Sequence, residues 1–268
     1  MKIKLSNLLL KQIKMESKLI VSLQKARNYF NLLKIEKVHE KAPIDYVTNI
    51  DFQVNNFLHK ELANINPEAK IFSEETKSSK RNGVFWIIDP IDGTHNMLSG
   101  IPFFSISIAL CDSEGPLVSG VANLSNNDVY SATRSLGARK NGCQIKRKES
   151  NSNLIFLSTG MLNILMQDYE SYKIIRSYGK IRNLGCQSLQ LCFVAEGKAR
   201  FCMSEEAKFW DDAAGQLIAR ESGMSYFSKT MENTNDIQEI ITEGKSMKSL
   251  CAENKIFEKV KDIFNKKI

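Results

Sequence analysis

The sequence has 268 residues, of which 43% are hydrophobic and 25% charged, and its formal net charge is +7. This size and composition are ordinary for a folded protein of one large domain or two smaller ones that share a core, and they exclude a disordered chain. The longest apolar runs, such as residues 103–111, are far too short to cross a bilayer, so no membrane association is expected.

The first 35 residues carry apolar side chains at helical spacing and predict an amphipathic helix. The apolar block Leu8–Leu10 is short and is followed at once by Lys11, which is not the pattern of a signal peptide. We therefore expect a cytoplasmic protein. The six cysteines form no C-x-x-C pair, and in this setting we expect free, mostly buried thiols.

The N-terminal half is predicted to alternate short strands with one further helix after a break at 39–43. Helical spacing over 51–63 predicts that helix. Polar residues predict a loop at 76–83 and a turn region at 137–142. Short apolar or alternating runs predict strands at 44–50, 70–73, 84–88, 104–110, 117–124 and 129–133.

The C-terminal half begins near Leu154 and also mixes strands with helices. Strands are expected at 154–158, near 181 and at 199–203. Helices are expected at 161–177, 188–196, 212–221 and 257–268. Such loose alternation predicts a mixed α/β class with helices layered on sheets.

An apolar strand runs directly into two aspartates in the segment Trp86–Met97, WIIDPIDGTHNM. Pro90 fixes one backbone dihedral and has no N–H, and Gly93 permits a tight turn that brings backbone close to a ligand. A helix that begins near Thr94 would point its first N–H groups at an anion. Carboxylates beside an anion site predict Mg²⁺ between them and a phosphate. The alternative is a simple turn in which Asp89 caps the next helix.

Further acids stand at the ends of predicted elements. Asp51 lies at a strand-to-helix junction, Glu74 and Glu75 follow a short strand, and Asp211 follows Trp210 at the start of a helix rich in small residues. Each of them could serve only as a helix cap. Four acidic clusters at element ends are nevertheless the pattern expected of a multi-metal hydrolytic site.

These segments resemble the inositol monophosphatase family of Mg²⁺-dependent, Li⁺-sensitive phosphatases. The two signatures of that family resemble DPIDGT at 89–94 and WDDAAG at 210–215, with supporting matches in VTNID, SEE, GIPFFSISIAL and GARKNG. The resemblance implies a layered αβαβα sugar-phosphatase fold. It also implies an N-terminal α+β half, residues 1–150, with most metal ligands and a C-terminal α/β half, residues 151–268, with the specificity loops.

The resemblance implies two to three Mg²⁺ ions and a role for each site residue. The implied metal ligands are Glu74, Asp89, the Ile91 carbonyl, Asp92 and Asp211. The implied catalytic residues are Glu74 and Thr94, which would orient the attacking water, and Asp51, at a weaker third metal site. The implied substrate contacts are the backbone amides of Gly93 and Thr94 for the phosphate, and Cys186, Gln187 and Glu205 for the leaving group.

The implied activity is hydrolysis of inositol monophosphate or a related sugar phosphate by metal-activated water. Two segments, 188–199 and 213–216, are closer to the bacterial bisphosphate-nucleotidase branch, so a 3′(2′),5′-bisphosphate nucleotidase is an alternative. The position of the sugar-binding Glu of animal inositol phosphatases falls on Ser204. Glu205 or Glu206 would restore a carboxylate there, unless both are surface acids.

The expected partner is a small phosphorylated substrate. Family members are often homodimers, and we expect the same here. The basic charge alone supports an alternative from another class, a regulatory protein that keeps this fold and binds RNA or a transcription complex. No nucleic-acid-binding motif accompanies the charge, so nucleic acid is not the expected partner.

Overall fold

The protein is described by a computed structural model that covers residues 2–43, 45–76, 83–146, 152–230 and 237–265. Its helices are α1 (Lys2–Phe30), α2 (Asn49–Ile65), α3 (Thr94–Leu98), α4 (Thr159–Gln167), α5 (Tyr169–Ser177), α6 (Gln187–Ala195), α7 (Phe209–Glu221), α8 (Ile237–Thr242) and α9 (Asn254–Asn265). Its strands are β1 (Val38–Ala42), β2 (Asp45–Thr48), β3 (Lys70–Ser73), β4 (Phe85–Asp92), β5 (Ser105–Asp112), β6 (Gly115–Asn123), β7 (Val129–Thr133), β8 (Ala138–Lys140), β9 (Cys143–Gln144), β10 (Leu154–Leu157), β11 (Lys180–Arg182), β12 (Phe201–Ala207), β13 (Ser225–Thr230) and β14 (Met247–Ala252).

Two sheets alternate with three layers of helices. The larger sheet has seven strands in the order β3-β4-β5-β6-β7-β8-β9, and the smaller has five in the order β11-β10-β12-β14-β13. Helices α1 and α2 cover one face of the larger sheet, α6 and α7 lie between the sheets, and α4, α5 and α9 cover the outer face of the smaller sheet. The predicted mixed α/β class and αβαβα layering are confirmed.

Strand β4 lies next to the edge strand β3 of the larger sheet and carries the predicted aspartates. All eight of its residues are buried. Successive side chains point to opposite faces of a sheet, so Trp86 and Ile88 pack toward α1 and α2, while Phe85 and Ile87 pack toward α6 and α7. A strand held on both faces gives the acids at its end a fixed position.

The structure differs from the predicted elements in the N-terminal half. Helix α1 ends at Phe30, five residues before the predicted end. The expected break at 39–43 contains β1, which pairs with β2 in an antiparallel hairpin. Every residue of β1 is exposed, and because backbone bonds hold a hairpin strand without an apolar side, no pattern revealed it. The expected turn at 137–142 contains β8.

Three further predicted segments are a long helix, a loop and the C-terminal helix. The predicted single helix 161–177 is two helices, because Asp168 interrupts it and its side chain accepts a hydrogen bond from the Ser171 amide to cap α5. The predicted loop at 76–83 lies mostly on residues 77–82, outside the described chain. The C-terminal helix is α9, whose apolar side packs Val260 and Phe264 into the outer core.

The cysteine prediction is confirmed. All six cysteines are unpaired, and only Cys143 is exposed. Within the described part of the chain, no helix combines the length and the apolarity needed to span a membrane. The division into halves at residue 150 stays a prediction, although the larger sheet draws its strands from 70–144 and the smaller from 154–252.

Candidate active site

The two aspartates of the DPID segment lie on either side of a β-bulge at the end of β4. Asp89 pairs with Ser107 of β5, and Asp92 pairs with Ser105, so three steps on β4 oppose two on β5. Pro90, which has no N–H to give to a ladder, occupies the bulge. A bulge re-aims the side chains of its strand. The local sequence thereby presents both carboxylates at the end of one buried strand.

Glu74 reaches the same place from the neighbouring strand. Strand β3 runs parallel to β4 with Ser73 opposite Ile88, and the Glu74 amide donates to the Ile88 carbonyl at 3.2 Å. Because β3 and β4 end side by side, Glu74 lies next to Asp89. The two acids come from segments about 15 residues apart in sequence.

Asp51 and Asp211 occupy equivalent positions in two helices that begin at the site. Each is the third residue of its helix. One oxygen of each carboxylate accepts a hydrogen bond from the backbone amide three residues earlier. The donors are Thr48 for Asp51 and Lys208 for Asp211, each at 2.8 Å. Each aspartate can therefore cap its helix and also take part in the site. The cap occupies one oxygen of each carboxylate, and the other oxygen points away from the cap.

The N-terminus of α6 holds Asp92. The amide and hydroxyl of Ser188 donate to Asp92 Oδ2 at 2.7 and 2.6 Å, and the Cys186 thiol lies 3.2 Å from the same oxygen. The Gln187 amide donates to Oδ1 at 3.2 Å. A carboxylate at a helix N-terminus is also stabilised by the helix dipole. The loop before α6 thus fixes Asp92 from the other half of the sequence.

Thr94 joins the end of β4 to Asp51. Its hydroxyl lies 3.1 Å from Asp51 Oδ1 and 3.0 Å from the Ile91 carbonyl. Gly93, immediately before it, has φ of 93°, which only glycine adopts without strain. A Cβ at Gly93 would also lie 3.1 Å from the Gly185 carbonyl. The turn therefore brings the backbone close to the loop before α6.

The carboxylates at this site repel one another, and this repulsion raises their pKa values. Burial raises the pKa of Asp89 well above its usual range, and the neighbouring charges of Glu74, Asp92 and Asp211 raise it further. Burial, then Asp92 and Glu74, raise the pKa of Asp211 in the same way. Burial raises the pKa of Asp92 despite its hydrogen bonds from α6. The raised pKa values follow from the burial of these acids and from their nearness to one another.

Lys41 supplies positive charge that partly offsets these carboxylates. Its ammonium lies 3.0 Å from Glu74 Oε1 and 2.6 Å from Glu75 Oε1. Burial by itself lowers the pKa of Lys41, but the two glutamates raise it above its ordinary value. Burial raises the pKa of Glu74 to about 7 even though Lys41 acts in the opposite direction.

The donor set fits a divalent cation in its chemistry. Several carboxylates with too little compensating positive charge share one buried region, and hard oxygen ligands suit Mg²⁺. Their side chains are not gathered around one point, and the described residues contain no group of three or more His, Cys, Asp or Glu arranged as a metal site. Asp92 instead faces α6 and Glu74 faces Lys41, so ion binding requires that side chains turn.

An open pocket of about 250 Å³ adjoins these acids. Asp92 and Asp211 border it, together with Cys186 and Gln187. The Gln187 side chain is engaged within the protein, because Nε2 donates to Asp212 at 2.8 Å. Cys186 is almost fully buried. Their roles as substrate contacts stay predictions.

The two acids that follow Ser204, Glu205 and Glu206, lie in different surroundings. The Glu205 carboxylate lies 3.2 Å from the Lys248 ammonium, whereas Glu206 lines the pocket with Asp92 and Asp211. The structure therefore places Glu206, and not Glu205, in the lining of this pocket. The cause is the irregular pairing of β12 with β14 between Ser204 and Ala207. The role of Glu205 as a substrate contact stays a prediction.

Three contacts of the site were not foreseen from the sequence. Lys41 lies in an exposed hairpin strand, Ser188 lies in the first turn of α6, and Asp212 is a fully buried acid bonded to Gln187 and Tyr226. A serine at a helix start is a recognisable capping signal, but its acceptor is almost 100 residues away. No local pattern marks the other two.

Known proteins share this sequence pattern and fold. The chain is 30% identical over 220 residues to a protein named Nus factor SuhB from Xylella fastidiosa, covering 76% of this chain and 78% of that one. It is 32% identical over 209 residues to inositol-1-monophosphatase from Rhizobium meliloti, covering 74% and 77%. A solved structure named IMPase/NADP phosphatase complexed with Mg²⁺ and phosphate has a TM-score of 0.77 at 22% identity, covering 96% and 97%. Residues 7–256 match the profile of the inositol monophosphatase family, and the chain belongs to that family.

Proposed function

We propose that the protein is a Mg²⁺-dependent phosphomonoesterase that hydrolyses inositol monophosphate or a related sugar phosphate. The observation that carries this proposal is the shared, buried and undercompensated negative charge of Glu74, Asp89, Asp92 and Asp211. Family membership supports it, as does the Mg²⁺ and phosphate bound by a protein of the same fold.

The proposed metal ligands are Glu74, Asp89, the Ile91 carbonyl, Asp92 and Asp211, for two to three ions with Asp51 at a third site. Mg²⁺ held there would activate water and neutralise the charge of the phosphoryl group and the leaving oxygen. Four donors at the start of α6 now engage the Asp92 carboxylate, and one or more of these hydrogen bonds would be exchanged for an ion when Asp92 turns toward it.

Thr94 and Asp51 would together orient the attacking water. The Thr94 hydroxyl has one proton, which it can give to Asp51 Oδ1 or to the Ile91 carbonyl. Its oxygen then keeps lone pairs that can accept a hydrogen bond from water. Glu74 would accept from the same water, because a carboxylate offers two oxygens and Lys41 engages one of them.

The phosphate would rest on the turn at Gly93 and Thr94. Neither backbone amide has a hydrogen-bond partner among the described residues, and both lie at the start of α3. Amides at the start of a helix are suited to an anion. A side chain at Gly93 would meet the Phe103 carbonyl at 3.1 Å, so the turn depends on glycine.

Two finer points belong to the proposal. We place the protein in the reducing cytoplasm, which suits six unpaired cysteines.

We also propose a homodimer, as expected from the family resemblance. Exposed apolar side chains on α4 and α5 support it, since Met166 is 76% exposed and Tyr169 66%, and such patches often mark protein interfaces.

A second candidate function is suggested by similarity to Nus factor SuhB. In this alternative the fold acts by binding in a transcription complex, with or without hydrolysis. The variant Asp92→Asn distinguishes the two functions. It should abolish hydrolysis, whereas binding through another part of the surface should persist.

The test is phosphate release from inositol 1-phosphate, several hexose and heptose phosphates, histidinol phosphate, fructose 1,6-bisphosphate and adenosine 3′,5′-bisphosphate. We expect turnover with Mg²⁺, none with EDTA, and a loss on the order of 100-fold or more in Asp92→Asn. Asp262→Asn, an exposed acid on α9, is the matched control. Turnover that EDTA and Asp92→Asn leave intact would refute the proposal.

A further inference from the structure

A second cavity, here called the α7 cavity, lies along helix α7 and has a volume of about 190 Å³. Its lining includes Phe209 in the first turn of the helix and Arg220 in the last. A neighbouring cavity of about 270 Å³ shares Gln216 and Arg220 with it. Among the described residues, none lines both the α7 cavity and the pocket beside the acids. The α7 cavity is therefore a separate candidate for a ligand.

Gln216 is a buried polar side chain that the protein itself leaves unpaired. It is only 7% exposed, and its amide has no hydrogen-bond partner in the part of the chain that the structure describes. By contrast, the side chain of buried Gln190 on α6 accepts a hydrogen bond from the Leu184 amide at 3.0 Å. An unpaired buried polar group costs about 1–3 kcal/mol. Because Gln216 lines both cavities, its amide is available to a ligand there.

The unpaired charges of the α7 cavity are positive. Arg220 and Lys229 line it, and neither forms an ion pair with a described residue. Glu114 is the one acid among the described lining residues, and Arg134 holds its carboxylate at 3.2 Å. Glu221, an acid of the neighbouring cavity, accepts hydrogen bonds from two backbone amides. Two uncompensated cations beside engaged acids favour an anion.

Another part of the cavity wall is apolar. Phe209, Ile240 and Met247 line it, and each is less than a tenth exposed. A cavity of roughly 150 Å³ is large enough for benzene, so this one has room for a single ring with a small charged group. Apolar walls with a few polar groups that converge on one end are typical of small-molecule sites.

We propose that the α7 cavity binds a small organic anion with an apolar body. Its carboxylate or phosphate group would contact Arg220, Lys229 and the Gln216 amide, and its body would lie on Phe209. The inference goes beyond the proposed hydrolysis and does not depend on it. The anion would contact the same turn of α7 that carries Asp211, two residues after Phe209.

The test is the binding of benzoate, phenylphosphonate and the neutral benzamide to the whole chain, measured by isothermal titration calorimetry. EDTA is present, so that the active-site acids hold no ion and repel anions. We expect both anions to bind at least about tenfold more tightly than benzamide. The stronger of the two anions then identifies the charged group as a phosphate or a carboxylate.

Charge-removing variants locate the binding. Arg220→Met and Lys229→Met should each weaken binding of the anions by about tenfold. Arg27→Met is the matched control, because Arg27 lies on α1 and also has no ion pair with a described residue. It should keep the affinity within about twofold.

Gln216→Leu distinguishes a binding role from a structural one. It should weaken binding of the anions by about fivefold. The melting temperature should stay unchanged or rise, because the variant removes an unpaired buried amide. A lower melting temperature with unchanged affinity would assign Gln216 to the fold and overturn its role in binding.

Three other outcomes would overturn the proposal. The first is equal affinity for benzamide and the two anions, and the second is anion binding that Arg220→Met and Lys229→Met leave intact. The third is the absence of binding of both anions at millimolar concentrations. None of these results bears on Mg²⁺-dependent phosphate release, so failure of this inference is distinguishable from failure of the proposed function.

Discussion

The hydroxyl of Ser188 donates to Asp92 Oδ2 at 2.6 Å, across 96 residues of sequence. Ser188 is fully buried, so its alanine variant leaves the carboxylate with one donor fewer and no water in its place. Hydrogen bonds to a charged group are typically worth about 1.5–3 kcal/mol. We expect Ser188→Ala to lower Mg²⁺-dependent kcat/KM by about tenfold, measured by steady-state phosphate release.

A matched control is available in the same protein. The buried Ser119 hydroxyl has no hydrogen-bond partner among the described residues, so Ser119→Ala should leave both activity and stability nearly unchanged. The Ser188 donors lower the pKa of Asp92. Ser188→Ala should therefore raise that pKa and shift the acidic limb of the pH–rate profile to higher pH. An unchanged profile with reduced activity would indicate a purely structural effect.

The metal-free protein should lose stability as pH rises. Burial raises the pKa of Glu74 from 4.5 to about 7 in the folded state, so the folded protein binds a proton that the unfolded chain has released. The resulting stabilisation is fully present below about pH 4.5 and is lost as pH rises toward 7, by an amount on the order of 1–3 kcal/mol. Urea denaturation at pH 5 to 8 in EDTA measures it.

Mg²⁺ and Glu74→Gln provide the two controls for that pH dependence. Mg²⁺ binds the ionised carboxylates, so it should flatten or reverse the loss of stability. Glu74→Gln should reduce the slope in EDTA. A slope that is the same in wild type and variant would show that Glu74 does not titrate in this range.

Lys41 should matter most when no metal is bound. Lys41→Met leaves Glu74 and Glu75 without their paired cation and should lower the free energy of unfolding in EDTA at pH 8 by about 1–2 kcal/mol. With Mg²⁺ present the loss should shrink, because the ion supplies the missing charge. Lys25→Met is the control, since its pair with Glu61 is exposed and should show no dependence on Mg²⁺.

Gly93→Ala tests the turn that would hold the phosphate. The change imposes a left-handed backbone, with φ of 93°, and places a methyl group 3.1 Å from two carbonyl oxygens. We expect a loss of about 1–3 kcal/mol in the free energy of unfolding and loss of activity. Gly115→Ala carries similar strain at φ of 110° but meets open space, so a comparable loss of activity there would contradict a specific role for Gly93.

Removal of metal should abolish activity without unfolding the protein. Three clusters of buried apolar residues hold the layers together, and none of them is built on the acids of the site. We therefore expect EDTA to stop phosphate release while circular dichroism stays unchanged, and Mg²⁺ to restore turnover. Li⁺ inhibition, expected from the family resemblance, is measured in the same assay. Collapse of the circular dichroism spectrum in EDTA would contradict a site independent of the core.

The sequence by itself determined the class of the fold and the position of its acids along the chain. Strands such as β3 and β7 fall at their predicted bounds, because buried strands have an apolar pattern that is local. Asp89 and Asp92 were candidate ligands for a similar reason, because the apolar run that leads into Asp-Pro-Ile-Asp-Gly is local. That stretch alone left a simple capped turn as the alternative, and the other acids and the family resemblance favoured a metal site. Exposed or interrupted elements were less predictable, since β1 has no buried side and Asp168 ends α4 without disturbing the apolar spacing.

Only the tertiary structure decided which groups surround those acids. Ser188 meets Asp92, and Lys41 meets Glu74, because separate elements end at the same edge of the larger sheet. The choice between Glu205 and Glu206 depends on the irregular pairing of β12, where a shift of one residue exchanges the two faces of a strand. The acidic residues of the site could thus be predicted from the order of residue types along the chain. Their contacts could not, because those contacts join residues that are far apart in sequence.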